Sequence, residues 1–443
     1  MSGLRERLLR ARGEPSAAPG DAAEVVPGQA APPQPSLADR VRRLAAAREG
    51  SGSANGSADA RTTAALREPT GPAAPDDTAL AAQLCAERLA PGVLRRSKRL
   101  PLALMHGGWS LYPDPAAVRR LLPDASPDTA GWVALDTETS GLAGGTGTWV
   151  FVVGLARWWA SELEITQFLL TRLDAERAFL EQVLGALAGA ELLLSYNGKS
   201  FDLPLLAARL RLARLQDPMT GVVHLDLLHP VRRAFAGRWP DCRLATVEQR
   251  LLERSRGQDL PGAEAPAAWL DWLRRGDGRR LDAVLAHNRV DLLSVAALPA
   301  ALGAVHRAPV RFNADPLRIA RWRLAADDAE GARALLSGAG ASALNVAGRR
   351  LLARLHTRAG DWLAALALWE QLAEAGDAAS REALAKHFEH RVGDLQRALA
   401  HAQCLPPGAL AARRRARLLA KLARRDSARK RAIDGFQCDQ SKK

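Results

Sequence analysis

The chain has 443 residues, 62 Lys and Arg against 48 Asp and Glu, and a formal net charge of +14. That length exceeds one ordinary domain and suits two or three, and a 47% hydrophobic content supplies a sizeable core. No run approaches the ~20 consecutive apolar residues of a membrane span, and the scattered Cys85, Cys242, Cys404 and Cys438 argue against a disulfide framework or zinc site.

The first residues, MSGLRERLLRARGEP, are charged and lack the apolar stretch of a signal peptide, so a cytoplasmic chain with no membrane partner is expected. Residues 1–85 are rich in Ala, Pro, Gly and Ser and read as a disordered basic tail, because such stretches bury too little apolar surface to fold. From residue 86 the pattern turns globular. Residues 132–136 read as a buried strand, followed by a Gly-rich turn over 141–147 and strands over 149–156 and 163–170. This spacing predicts an antiparallel meander. A helix is expected over 174–187 with Asp174 as its N-cap, then a short buried strand at 192–195, a helix over 201–215 and a strand over 222–227. The remainder to about residue 302 reads as helical. Strands first and strand–helix alternation afterwards predict an α/β domain over 86–302, a mixed sheet with flanking helices.

After residue 312 the chain is all-helical and repetitive. Asp327-Asp328, Gly360-Asp361 and Gly393-Asp394 recur at an offset of 33, each before a similar Ala-rich run. A period of ~34 residues with an acidic turn predicts tetratricopeptide-like helix pairs over 312–431, ending in the basic helix RRRARLLAKLARR.

Three segments carry candidate chemistry. In Asp136-Thr137-Glu138 the two acids project from one face of a strand, since alternate side chains share a face. Adjacent carboxylates repel unless a cation lies between them. A solvated acidic strand end has the same pattern. In Ser195-Tyr196-Asn197-Gly198-Lys199-Ser200-Phe201-Asp202 a buried strand turns at Gly198, Phe201 and Leu203 are expected to anchor the turn in the core, and Asp202 falls at a helix start, which is also a favourable place for any acid. The Gly-Lys-Ser string is no phosphate loop, because Leu193 stands where that motif needs Gly. In His287-Asn288-Arg289-Val290-Asp291, His287 and Asp291 share one helix face, as an ordinary surface pair also does.

Taken together and in this order, the three segments resemble the DEDD-type exonucleases. In particular they resemble the bacterial YprB-like group of RNase H-like domains, in DTETSGLAGGTGT, LLSYNGKSFDLPLL, DLLHPVRR and HNRVDLLSV, over roughly residues 86–302. The helical repeats also resemble that group. The resemblance implies an RNase H-like fold and a phosphodiester-hydrolysing nuclease, acting 3′→5′ and exonucleolytically. It implies two divalent cations on Asp136, Glu138, Asp202 and Asp291. Carboxylates without cysteine suit Mg²⁺ or Mn²⁺ better than zinc, and two such cations serve phosphodiester hydrolysis. His287 is the candidate general base. It stands at the spacing where this family places Tyr, which leaves open a water-positioning role or a plain cleft residue.

Several further residues have two readings. Thr137 and Lys199 are candidate substrate contacts; Lys199 is otherwise a solvated lysine. Asn197 either contacts substrate or stabilises its turn. Arg232 and Arg233 are candidate phosphate contacts or solvated helix charges. His224, Asp226 and His229 hint at metal but lack a fourth ligand and read as structural. Trp158, Trp159, Trp269 and Trp272 could stack bases, though their spacing reads as packing. The rival reading of the whole chain is a non-catalytic nucleic-acid-binding scaffold that recruits a protein through its helical repeats.

Overall fold

The computed structural model describes residues 76–141, 147–257 and 260–440, the last nine by backbone alone. The expected tail up to residue 75 and most of the Gly-rich turn lie outside the described residues. Residues 76–85, placed in that tail from composition, are instead folded. Asp76 caps α1 (Asp77–Gln83) by accepting from the Thr78 N–H, and Leu80 and Leu84 are buried. The buried Asp77 carboxylate accepts from the Gly92 N–H at 2.6 Å and the Thr171 hydroxyl at 3.2 Å, and pairs with Arg88. The segment is docked by Leu80 and Leu84 in the core together with these bonds of Asp77.

Two strands that the sequence reading missed come next, β1 (Glu87–Ala90) and β2 (Val93–Pro101), an antiparallel hairpin. In β2 the apolar residues lie at its two ends while Arg95, Arg96, Lys98 and Arg99 fill the middle. Such a strand hides from a hydrophobic-period search because much of it faces water. The small ladder β3 (Met105–His106) with β4 (Trp109–Ser110) leads into α2 (Pro115–Leu121).

The predicted meander then appears as β5 (Trp132–Thr139), β6 (Val150–Trp158) and β7 (Glu162–Leu170), each antiparallel to the last. Helix α3 (Glu176–Leu187) follows a 3₁₀ turn, Leu173–Ala175, so Asp174 is not its N-cap; that carboxylate is held by Arg172 instead. Strand β8 (Leu192–Ser195) pairs parallel to β5, and β9 (Val223–Asp226) pairs parallel to β8, with α4 (Asp202–Leu212) between them. Helices α5 (Leu228–Phe235), α6 (Leu244–Arg250), α7 (Ala265–Arg275) and α8 (Leu281–Arg307) complete the domain. The result is one mixed sheet in the order β1-β2-β7-β6-β5-β8-β9 with helices on both faces.

The period of two along β5 assigns its residues to two cores. Trp132 and Ala134 pack with Leu292 and Val295 of α8, while Val133 and Leu135 pack with Phe179 of α3 and Leu206 of α4. Helix α8 has the length and hydropathy of a membrane span, yet 72% of its most apolar window is buried inside the fold, so the sheet accounts for its composition.

Beyond α8 the chain forms α9 (Pro316–Ala325), α10 (Ala329–Ala339), α11 (Val346–Arg358), α12 (Trp362–Glu374), α13 (Ala378–His387), a π turn over Phe388–Val392, α14 (Leu395–Gln403) and α15 (Ala409–Gln440). The recurring acids have a plain cause. Asp328, Asp361 and Asp394 each cap the second helix of a pair, accepting from the N–H of Gly331 (2.8 Å), Ala364 (3.3 Å) and Arg397 (2.9 Å). One apolar core runs from the α8 face of the sheet into these helices.

Candidate active site

Strand β5 delivers Asp136 and Glu138 to the α8 side of the sheet, as its alternation requires, and both are largely withdrawn from water. Thr137 points the other way, toward α4, where its hydroxyl donates to Asp202 Oδ1 at 2.5 Å. Thr137 therefore orients an acid of the site. Asp202 is the first residue of α4, and Asp291 lies on α8.

The four acids converge electrostatically. Burial raises the Asp136 carboxyl well above the usual carboxylate range, and the neighbouring Asp291, Asp202 and Glu138 raise it further. Burial also raises Asp202, against the Thr137 hydrogen bond that lowers it. Asp291 is pushed up to about 6 by burial, with Arg256 and His287 opposing. Among the described residues no three His, Cys, Asp or Glu side chains stand in ready ligating geometry. The donor set nonetheless fits a hard cation, because four clustered carboxylates largely withdrawn from water repel one another.

Two polar networks hold the acids, and the sequence reading identified neither. In the first, Asn288 Nδ2 donates to Asp136 Oδ2 at 2.8 Å and reaches the Asp136 carbonyl at 3.3 Å, while Gln167 Nε2 donates to Asn288 Oδ1 at 2.7 Å. Gly154 makes room for this network, since a Cβ there would lie 2.2 Å from Asn288 Oδ1. Asn288 sits beside His287 in the third segment, so its position was a usable signal. In the second, the wholly buried Glu248 is gripped by Arg256 and accepts from the Ser294 hydroxyl, and His106 Nε2 lies 2.8 Å from that hydroxyl. Arg256 Nη2 donates at once to Glu248 Oε1 (2.9 Å) and Asp291 Oδ1 (2.6 Å). Burial lowers His106 to about 4, so it is neutral at pH 7.

His287 is brought to the site. It is 8% exposed, its Nε2 lies 3.8 Å from Asp291 Oδ2, and its Nδ1 lies 3.5 Å from Arg256 Nη1. The loop from Asn197 to Ser200 is built around Asp226, whose carboxylate accepts from the N–H groups of Asn197 (2.7 Å), Lys199 (3.1 Å) and Leu228 (3.0 Å). Asn197 has φ +68°, a left-handed conformation that Asn tolerates well, which supports its turn role. Gly198 allows close packing, as a Cβ would fall 2.4 Å from Ser195 Oγ. His224 is bound to that hydroxyl at 2.8 Å and His229 is exposed, so the structural reading of the trio with Asp226 agrees with the contacts.

Two expectations are corrected. Phe201 does not anchor its turn in the core: it is 55% exposed, because α4 buries Leu206 and Leu210 instead. Arg233 is no free phosphate contact; its guanidinium stacks 4.1 Å over the Trp322 ring at the junction with α9, and burial lowers it to about 10. Lys199 and Arg232 remain exposed. Trp158, Trp269 and Trp272 are buried and donate to the carbonyls of Leu111, Leu170 and Thr171, so they are packing residues; Trp159 is half exposed against Glu164.

A mixed sheet with an antiparallel meander at its middle, parallel strands beside it and helices on both faces has the RNase H-like architecture. The comparison of families agrees: residues 133–302 match the RNase_H superfamily. Among curated proteins, the chain is similar to "Uncharacterized protein YprB" of Bacillus subtilis (strain 168), 30% identical over 275 residues. That match covers 60% of this chain and 66% of the relative, just under two thirds of its length. A family B DNA polymerase from the hyperthermophilic archaeon Pyrobaculum calidifontis aligns over 51% of this chain and 29% of its own at 15% identity and a TM-score of 0.30.

Proposed function

We propose that the chain is a metal-dependent nuclease, with Asp136, Glu138, Asp202 and Asp291 holding two Mg²⁺ or Mn²⁺ ions. The observation that carries the reading is a half-buried Asp136 with three further carboxylates brought close from β5, α4 and α8. A stable core has no use for so much like charge; a cation-binding hydrolase does. Such a pair of ions, when bound, supplies an activated water and a stabilised leaving oxygen.

The residues divide the remaining work. Asn288 and Gln167 fix the Asp136 rotamer, and Thr137 fixes Asp202. Arg256 holds Asp291 against Glu248. His287, beside Asp291, takes or orients the proton of the attacking water. Lys199 and Arg232 meet backbone phosphates from their exposed positions, and Phe201 offers an exposed ring to a base. The 3′→5′ exonucleolytic direction follows from the resemblance of the acidic motifs. The helical pairs are read as tetratricopeptide-like repeats.

The test is direct. Purified protein is incubated with end-labelled single-stranded DNA and RNA, with Mn²⁺, Mg²⁺ or chelator, beside Asp136→Asn. Metal-dependent shortening that the variant lacks is the expected result. The scaffold reading has one observation in its favour, the Arg256 guanidinium already seated on Asp291. Binding without cleavage in every metal would establish it and sink the nuclease.

A further inference from the structure

A cavity of about 750 Å³ opens between α11, α12, α13, the π turn and α15. Every charged side chain lining it is basic: Arg354 and Arg358 from α11, Lys386 from α13, Arg391 from the π turn, and Arg414 and Arg417 from α15. Two acids behind the wall answer some of this charge. Buried Glu389 binds Arg417 (2.7 Å) and Lys421 (2.8 Å), and Glu382 binds Lys386 (2.8 Å) and Arg414 (3.0 Å). Among the described residues, no ion pair reaches Arg354, Arg358 or Arg391. The wall also carries π surfaces. The Arg391 guanidinium lies 4.2 Å over the Trp362 ring, which stacks on His387 at 5.0 Å. His387 Nδ1 is buried there without a hydrogen-bond partner.

Cations gathered in one cavity repel one another, so the arrangement favours an anion. An acidic peptide would need only the arginine forks. Stacked indole, imidazole and guanidinium planes add what a nucleobase needs and a carboxylate does not. The volume suits a nucleotide-sized group. We propose that this cavity binds a segment of single-stranded nucleic acid, with phosphates on Arg354 and Arg358 and a base against Trp362. Arg391 then leaves the indole face for a phosphate. The choice of a strand over an acidic peptide rests on the nuclease reading above; the charge and the cavity do not.

The test uses the full chain in chelator, so that nothing is cut, and follows fluorescence anisotropy of labelled oligo(dT) and oligo(U). Arg354→Glu with Arg358→Glu is expected to weaken binding at least about tenfold and to flatten the logarithmic salt dependence by about two. Trp362→Ala is expected to weaken it about 5- to 100-fold. Reversing Arg275 and Arg279, which are 75% and 85% exposed in the other region, is expected to change it less than about twofold. Arg358→Ala, a truncation of an exposed side chain, carries the test if the double variant melts early. Unchanged affinity in the cavity variants, or an equal loss in the control, would overturn the proposal. So would displacement of the oligonucleotide by polyglutamate at equal charge, which would assign the cavity to an acidic protein segment. Binding here with no cleavage by the parent in metal sinks the hydrolysis reading alone, and cleavage with unaltered binding in the cavity variants sinks this one alone.

Discussion

Asp136 is half-buried and Glu389 buried, and their surroundings drive the two carboxylates in opposite directions. Asp136 sits among three other acids in the sheet domain, and its carboxyl is raised well above the usual range, by burial first and by Asp291, Asp202 and Glu138 next. Glu389 sits among Arg417, Lys421 and Arg414 in the helical region, and its hydrogen bonds with Arg417 and Lys421 pull it down to about 2. The second arrangement stabilises the fold that contains it. The first gathers mutually repelling acids that Arg256 on Asp291 answers only in part, and Asn288, Gln167 and Thr137 keep it aimed nonetheless. Charge placed at a cost to stability, and held in position, is the mark of a working site; charge placed with its complement is the mark of a joint.

The contrast can be broken or sharpened in four ways. The largest effect is expected from Asp136→Asn. It should abolish metal-dependent cleavage while leaving the melting temperature equal or higher, because it removes a repelled charge; a clear loss of stability with cleavage retained would reverse the assignment. Next, Gly154→Ala would push a methyl into Asn288, and Asn288→Ala would remove the donor to Asp136. Either is expected to lower activity or Mn²⁺ affinity about 10- to 100-fold, read from metal titrations of cleavage.

On the helical side, Glu389→Gln should cost roughly 1–3 kcal/mol at pH 7, less than a fully buried pair because Arg417 and Lys421 are half exposed. The folded-state pKa lies below the unfolded value of 4.5, so this stabilisation is complete above about pH 4.5 and is lost as pH falls toward 2. Urea midpoints of parent and variant should therefore converge in acid; a gap that stays constant to pH 2.5 would remove the ion-pair explanation. The smallest effect is expected from Asp361→Ala, about 1 kcal/mol from the lost cap of α12, visible as a lower thermal midpoint with cleavage unaffected.

Much of this was legible in the chain itself. Asp136 and Glu138 share a face because a strand has a period of two, and His287 lies within reach of Asp291 because a helix brings residues four apart together. The acids at an offset of 33 are helix caps, a function of backbone geometry three residues away. All of these depend on local spacing, which a sequence displays. The folded segment at Asp77–Gln83 and the strands β1 and β2 were not legible, since their burial is supplied by distant partners such as Thr171 and β7.

The same division decides the site. Local spacing is enough to single out the four acids and the elements they ride on. What holds them comes from packing: Asn288 meets Asp136 across 152 residues, and Arg256 reaches Asp291 across 35 while clasping Glu248. Packing also decided that Arg233 belongs to Trp322 and that arginines of three separate segments, with Lys386 from a fourth, line one cavity. A side chain's partner across the fold depends on how elements pack, and packing is set by the sum of many weak contacts rather than by any spacing along the chain.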